Sequence, residues 1–177
     1  MRKAFIFSKQ FKHSLGAGVS FYEVGKTNEP VFHVDYNPSL SLTRSYSDFS
    51  FSIGSQMGAG YHVASSTDED AFIYADLPLL LELNFGNNAS KDFYNDFGCF
   101  FGGGYSYHLF RDEWTHGPVV TLGLRGFVFG PSFTLRLSRN FSIKETDPTL
   151  NTVTLLLNMG RYFEQVKLNN KLSRFSK

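Results

Sequence analysis

Apolar residues in this chain recur at every second position, and the spacing of an amphipathic helix is hard to find. Period-two alternation places successive side chains on opposite faces of a strand. The first such segment, Ser14 to Tyr22, puts Leu15, Ala17, Val19 and Phe21 on one face. A second aligns Phe32, Val34, Tyr36, Pro38, Leu40 and Leu42, and a third Phe49, Phe51, Ile53, Met57, Ala59, Tyr61 and Val63. The fourth is the cleanest, with Ala71, Ile73, Ala75, Leu77, Leu79, Leu81, Leu83 and Phe85 in register. Four more run from Phe97 to Leu109, Pro118 to Gly126, Pro131 to Leu137 and Val153 to Met159. Turn-forming residues fill the intervals: Gly25 to Pro30, Ser47-Asp48, Ser65 to Asp70, Gly86 to Asp96, Arg111 to Gly117, Phe129 to Pro131 and Asn140 to Asn151. The pattern predicts eight strands.

The two faces of those strands differ in kind. The apolar face, within these segments, carries no Asp, Glu, Lys, Arg or His, whereas the other carries His33, Asp35, His62, Asp76, Glu82, His108, Arg125 and Arg136. Many glycines share that second face, among them Gly16, Gly18, Gly58, Gly60, Gly102 and Gly104. A soluble barrel would expose those glycines on strands they weaken and would have a charge-poor surface. Turned the other way, the apolar face meets lipid, where each charge near the midplane would cost about 2–4 kcal/mol, and the small residues fill a tight lumen. Backbone groups in hydrocarbon must all be paired, so the sheet has to close. The expected fold is therefore all-β, a closed eight-stranded antiparallel up-and-down transmembrane β-barrel over residues 14–163. Residues 1–13 are expected to form an N-terminal periplasmic segment, and 164–177, with Lys167, Lys171, Arg174 and Lys177, a basic C-terminal tail. An even strand number puts both ends on the periplasmic side. Ser47-Asp48 and Phe129 to Pro131 suit short periplasmic turns; Gly86 to Asp96 is long for one.

Composition sharpens the location. Of 177 residues, 17% are aromatic and 19% charged, against roughly 25% charged in ordinary soluble domains. Seventeen basic and sixteen acidic residues leave a net charge of +1, which argues against nucleic acid as a partner. One cysteine, Cys99, excludes an internal disulfide. No apolar run reaches the length of a transmembrane helix, and the apolar stretch after Met1-Arg2-Lys3 is interrupted by Lys9 and Lys12, too early for a signal peptide. A bacterial outer-membrane location, with the signal peptide already removed, is the expectation.

Three stretches carry a resemblance. Asp76-Leu77-Pro78-Leu79-Leu80-Leu81-Glu82, the run Gly98 to Tyr105 (Gly-Cys-Phe-Phe-Gly-Gly-Gly-Tyr) and Asp48-Phe49-Ser50-Phe51-Ser52-Ile53-Gly54 resemble the small outer-membrane β-barrel proteins, in particular the PorT-like barrel family. The resemblance covers about Ser14 to Phe163 and implies an envelope component or accessory subunit. Such barrels commonly close on a C-terminal aromatic, to which Tyr162-Phe163 is similar; the basic tail beyond is a departure.

Candidate chemistry lies on the polar face. If Ser47-Asp48 centres the second hairpin, His33 and His62 stand opposite each other with Asp35 below, a candidate zinc or copper set. His108, and His116 in the fifth turn, would fall at the same end. Hydrogen bonding within a polar lumen is the plainer role for these groups. Asp76, Glu82, Arg125 and Arg136 have opposite signs and must be paired if buried, which predicts a lumen charge network plugging the bore. Ser106 and His108 share an inward face near the outer end, the one candidate for a lipid hydrolase or acyltransferase, but no orienting acid is identifiable. Tyr61, Phe85, Phe97, Tyr105, Tyr107 and Phe163 sit near strand ends, as an aromatic girdle would. Acidic residues near the outer turns, including Glu23 and Glu29, could bind cations or a partner.

These readings favour a non-enzymatic barrel serving as a structural or accessory subunit of an envelope complex for secretion, transport or assembly. No cofactor is expected. The expected partners are outer-membrane lipid and lipopolysaccharide, together with other envelope proteins. A lipid-modifying enzyme using the Ser/His site is the first alternative, and a soluble lipocalin-like carrier the second.

Overall fold

The computed structural model describes residues 11–24, 27–43, 48–62, 71–86, 97–110, 112–127, 132–143 and 148–158. They form nine antiparallel strands: β1 Phe11–Val24, β2 Thr27–Ser41, β3 Phe49–Gly54, β4 Met57–His62, β5 Phe72–Gly86, β6 Phe97–Phe110, β7 Glu113–Phe127, β8 Ser132–Asn140 and β9 Thr149–Asn158. Successive strands pair, except that β3 and β4 do not pair with each other but together occupy one place between β2 and β5, and β9 returns to β1. The result is a closed ring of eight hydrogen-bonded places, with no helix among the described residues.

The registers fix its geometry. Following hydrogen-bonded partners from Phe11 leads to Leu40, Ile53, Leu81, Gly103, Val120, Arg139 and Asn151, and returns to β1 at Phe21. The circuit closes on a residue ten positions further along β1, a shear of ten. Eight strands with that shear tilt by about 40° and give a backbone radius of about 8 Å. The bore is narrow enough for side chains to fill.

The third predicted segment is two strands because two prolines flank its middle. Pro38 on β2 and Pro78 on β5 lack the N–H that a ladder needs. Between them the strand interrupts at Ser55 and Gln56, and side chains replace the missing bonds. Asn37 Nδ2 donates to the Ser55 carbonyl at 2.6 Å, Ser55 N to the Pro38 carbonyl at 3.0 Å, and Ser55 Oγ to the Pro78 carbonyl. No residue is inserted: β3 and β4 keep the same register against both neighbours.

Alternation is as the sequence predicts. On β5, Ile73, Leu77, Leu79, Leu81 and Phe85 point outward and are exposed, while Phe72, Tyr74, Asp76, Leu80, Glu82 and Asn84 are buried inside. The outward apolar face of β5 runs from Ile73 to Phe85, a stretch of thirteen residues that rises about 30 Å along the axis at this tilt, the thickness of a hydrocarbon core.

Three expectations change. Strands run further than their alternation suggested: β7 begins at Glu113, so the fifth turn is not Arg111 to Gly117, and His116 lies within a strand. The β6–β7 connection is a tight hairpin, with Phe110 paired to Glu113 and Asp112 at φ 66, a left-handed conformation that Asp tolerates. The β2–β3 connection is wider than Ser47-Asp48 and includes Leu42 N donating to the Phe51 carbonyl. Lengthened strands also bring charge onto the outer wall, which the shorter segments lacked: Glu23 on β1 and Arg139 on β8 face outward. The tail 164–177, residues 1–10 and Phe163 lie outside the described residues.

Candidate functional site

Three layers of different chemistry fill the bore. The lowest, toward the end where β1 begins and β9 finishes, is ionic. Glu82 on β5 reaches across to Arg136 on β8, Oε1 to Nη1 at 2.7 Å, while its Oε2 lies 3.9 Å from Arg125 Nη2. Arg125 Nη1 also donates to Asn84 Oδ1 at 2.6 Å, and Asn84 Nδ2 to Ser52 Oγ at 2.9 Å. Both guanidinium groups lie over the Phe100 ring, at 4.3 and 4.6 Å from its centroid. That ring fits because β7 offers Gly123 opposite it; a Cβ there would lie 2.4 Å from ring carbons. One carboxylate, two cations and an aromatic face, all buried, form a charge-paired plug. Of the four residues predicted as a lumen network, Glu82, Arg125 and Arg136 meet here.

Asp76 does not join them. It belongs to the middle layer, where Ser106 Oγ donates to Asp76 Oδ1 and Asp76 stands in register with His108. His33 Nδ1 lies 2.9 Å from Asp35 Oδ2 in the same layer. Inward glycines accommodate these groups: a Cβ at Gly18 would lie 2.8 Å from the His33 ring, and one at Gly58 2.7 Å from Asp35 Oδ1. Hydrogen bonds cross the bore here as well, from Gln56 Nε2 to Thr154 Oγ1 at 2.8 Å and from Ser20 Oγ to the Tyr74 hydroxyl at 3.4 Å.

The top layer is apolar, which the sequence reading did not anticipate. Tyr22, Val31, Phe72, Tyr74 and Leu150 pack as a buried cluster, with Phe110 against it. Tyr22 anchors it, its hydroxyl donating to the Leu109 carbonyl at 2.9 Å and its ring 4.5 Å from Phe110. A hydrophobic cap therefore covers the polar layers from the end where β1 turns into β2. Large residues such as Tyr22 and Phe72 at inward parity among glycines and serines were the available signal.

The predicted metal set is not assembled. His33 stands opposite Gly60, not His62, because the β2–β4 register is two positions away from one centred on Ser47-Asp48. A shift of two keeps both imidazoles on the inner face but separates them. His62 Nδ1 instead lies 2.7 Å from the Pro30 carbonyl, with its ring stacked on Phe72. Among the described residues no three His, Cys, Asp or Glu converge as metal ligands. His116 leaves the cluster altogether: it faces outward and its Nδ1 is 2.6 Å from the Tyr105 hydroxyl. The Ser/His candidate also rearranges, since Ser106 hydrogen-bonds Asp76 and both Ser106 and His108 are fully buried.

On the outside, Tyr61, Tyr105 and Tyr107 lie toward the end where β1 turns into β2, and Phe85 and Phe97 toward the other; all five are exposed. Between these rims the wall is apolar, with Leu77, Leu79, Leu81, Leu122, Leu135 and Leu155 exposed. One sector differs. Arg139 Nη2 lies 3.2 Å from Glu23 Oε2, Asn151 Nδ2 donates to Glu23 Oε1 at 2.7 Å, and the Arg139 guanidinium covers Phe141.

No protein-family model and no curated protein sequence matches the chain. Solved structures do. Neisserial surface protein A is 9% identical, with 84% of this chain and 96% of that one covered at a TM-score of 0.53. Ail, the attachment invasion locus protein of Yersinia pestis, matches at 12% identity and a TM-score of 0.45, covering 84% and 95%. A second Ail structure, bound to the heparin analogue sucrose octasulfate, gives 13% and 0.44. The first likeness shows a shared barrel fold.

Proposed function

We propose that this protein is a bacterial outer-membrane β-barrel without enzymatic activity, acting as a structural or accessory subunit of an envelope assembly. The observation that carries the reading is a pairing of opposites: an outer wall of exposed Leu, Val and Phe around a bore crossed by side chains at every level. An apolar band about 30 Å tall between two aromatic rims suits a bilayer and no aqueous compartment. A filled bore supports neither a pore nor a carrier cavity, which leaves the wall and the two ends as working surfaces. The fold shared with Neisserial surface protein A, a barrel named for the cell surface, supports the location. The finer likeness to PorT-like barrels rests on the motifs of β3, β5 and β6 alone.

Ser106 and His108 bear on the enzymatic alternative. A nucleophile needs a base within reach and a path for substrate. Ser106 spends its hydroxyl on Asp76 beneath the aromatic cap, which supports the non-enzymatic reading. Incubating pure protein with lipid A and analysing the lipid tests this directly; a deacylated or newly acylated product would refute it.

The accessory role is tested by extracting the native membrane in mild detergent and identifying what co-purifies. The protein should fractionate with the outer membrane and migrate with defined envelope partners. A lone monomer in that fraction would refute the subunit reading, and recovery in the aqueous fraction would refute the location.

A further inference from the structure

The polar trio on the outer wall sits above a groove. Two rows of outward side chains bound it, following the hydrogen-bonding direction across three strands. Val120, Arg139 and Asn151 are register partners on the upper side, and Leu122, Leu137 and Val153 on the lower. Thr121, Ser138 and Thr152 lie between the rows and complete the lining of a cavity of about 260 Å³. Its lower wall is aliphatic and its upper lip holds a cation and an amide.

Apart from His116 and the rim tyrosines, the exposed wall toward this end is mostly apolar, with Phe32, Val34, Ile73 and Val120. Arg139 is in register with Phe21, and Glu23 lies two positions further toward the β1–β2 hairpin. From groove to rim, the order is therefore aliphatic wall, then guanidinium and amide, then carboxylate, with half-exposed Phe141 beside them. A charge this near the rim costs only about 0–1 kcal/mol, so the trio is tolerable there, yet its order is specific.

We propose that this sector binds one phosphorylated glycolipid of the surrounding leaflet, an acylated sugar phosphate. An acyl chain lies along Leu122, Leu137 and Val153. The phosphate, adjoining the acyl region, takes the N–H groups that Arg139 does not give to Glu23. Sugar hydroxyls, further out, donate to the Glu23 carboxylate and pair with the Asn151 amide. The assignment rests on the membrane location proposed above, but its test uses purified protein, so that the two can fail separately.

Native mass spectrometry of the detergent-extracted barrel, titrated with bisphosphorylated lipid A, reads the stoichiometry and affinity. One lipid should bind per barrel, and the same lipid stripped of phosphate should bind about 10- to 100-fold more weakly, the range of a lost charge-assisted hydrogen bond. Arg139→Gln should reduce lipid A to the level of the dephosphorylated lipid. Leu137→Trp, which fills the groove, should weaken both, whereas Leu79→Trp on the opposite wall should change neither. Heat-dependent gel mobility verifies that each variant is folded. Unchanged lipid A binding by Arg139→Gln would overturn the proposal. So would inorganic phosphate competing as well as the lipid, or phosphatidylglycerol binding equally well. A protein chain cross-linking through Leu137→Cys in native membranes would assign the groove to a protein instead.

Discussion

Replacing Glu82 with Gln tests the ionic plug most directly. The substitution keeps the shape of the side chain but replaces the carboxylate that reaches both Arg125 and Arg136 with a neutral amide, one end of which can only donate. Removing one partner from a buried ion pair costs about 3–5 kcal/mol, because the remaining charge is left uncompensated. Two features lower the figure here. Phe100 lies under both guanidinium groups, and Arg125 keeps its bond to Asn84 Oδ1. A loss of about 3 kcal/mol is therefore expected, measured by urea-induced unfolding of the barrel in lipid vesicles. The two arms should also separate. Arg136 is 1% exposed and 2.7 Å from Glu82, while Arg125 is 8% exposed and 3.9 Å away, so a double-mutant cycle should give the larger coupling to Arg136. Joint replacement, Glu82→Leu with Arg136→Met, should recover most of the loss, since matched apolar side chains often equal a buried pair. A cost below about 1 kcal/mol for Glu82→Gln, or equal coupling to both arginines, would refute the plug as described.

Three further outcomes follow from the same geometry. Gly123→Ala should cost about 1–3 kcal/mol by displacing the Phe100 ring, and Phe100→Leu in the same chain should restore part of it; the vesicle unfolding assay reads both. Leu79→Arg, near mid-wall, should cost about 2–4 kcal/mol, whereas Tyr61→Arg at the rim should cost about 0–1, so equal penalties would argue against a membrane around this wall. Calorimetric titration with zinc should give the same heat for wild type and for a His33→Ala/His62→Ala double variant, because the two imidazoles do not share a site.

Alternation made most of the barrel legible, since burial on both faces of the wall is governed by parity. Parity survives errors of register, which is why Glu82, Arg125 and Arg136 could be grouped while His33 and His62 could not. An ion pair between long side chains tolerates a displacement of two positions; a metal site built on short imidazole arms does not. The hairpin centre fixes register, and the register found is two positions away from one centred on Ser47-Asp48. Strand ends were equally opaque, because Glu23, His116 and Arg139 look like loop residues until hydrogen bonding extends the ladder through them. Turn-forming and polar residues marked the strand ends. At the rim of a membrane barrel, that criterion fails where polar residues meet headgroups.

The interruption of β3 and β4 shows what the sequence hid for another reason. Pro38 and Pro78 occur in segments with strong alternation, and each would be tolerated singly at an edge. A closed barrel has no edge, so both fall beside the same neighbouring strand and remove donors from its two sides. Asn37 and Ser55 compensate, and Ser55 is the only residue of the interruption bonded to both flanking strands among the described contacts. Its carbonyl, amide and hydroxyl each meet one neighbour, so that the ring stays continuous through a place where the ladder cannot. Ser55→Ala should therefore destabilise the barrel by about 1 kcal/mol through the orphaned Pro78 carbonyl, and Asn37→Leu by about 1–3 kcal/mol through the orphaned Ser55 carbonyl. Combined, their effects should exceed the sum, because both close the same gap between β2 and β5. Simple additivity in vesicle unfolding would mean that the two prolines act as independent defects, and that the shared interruption carries no structural role.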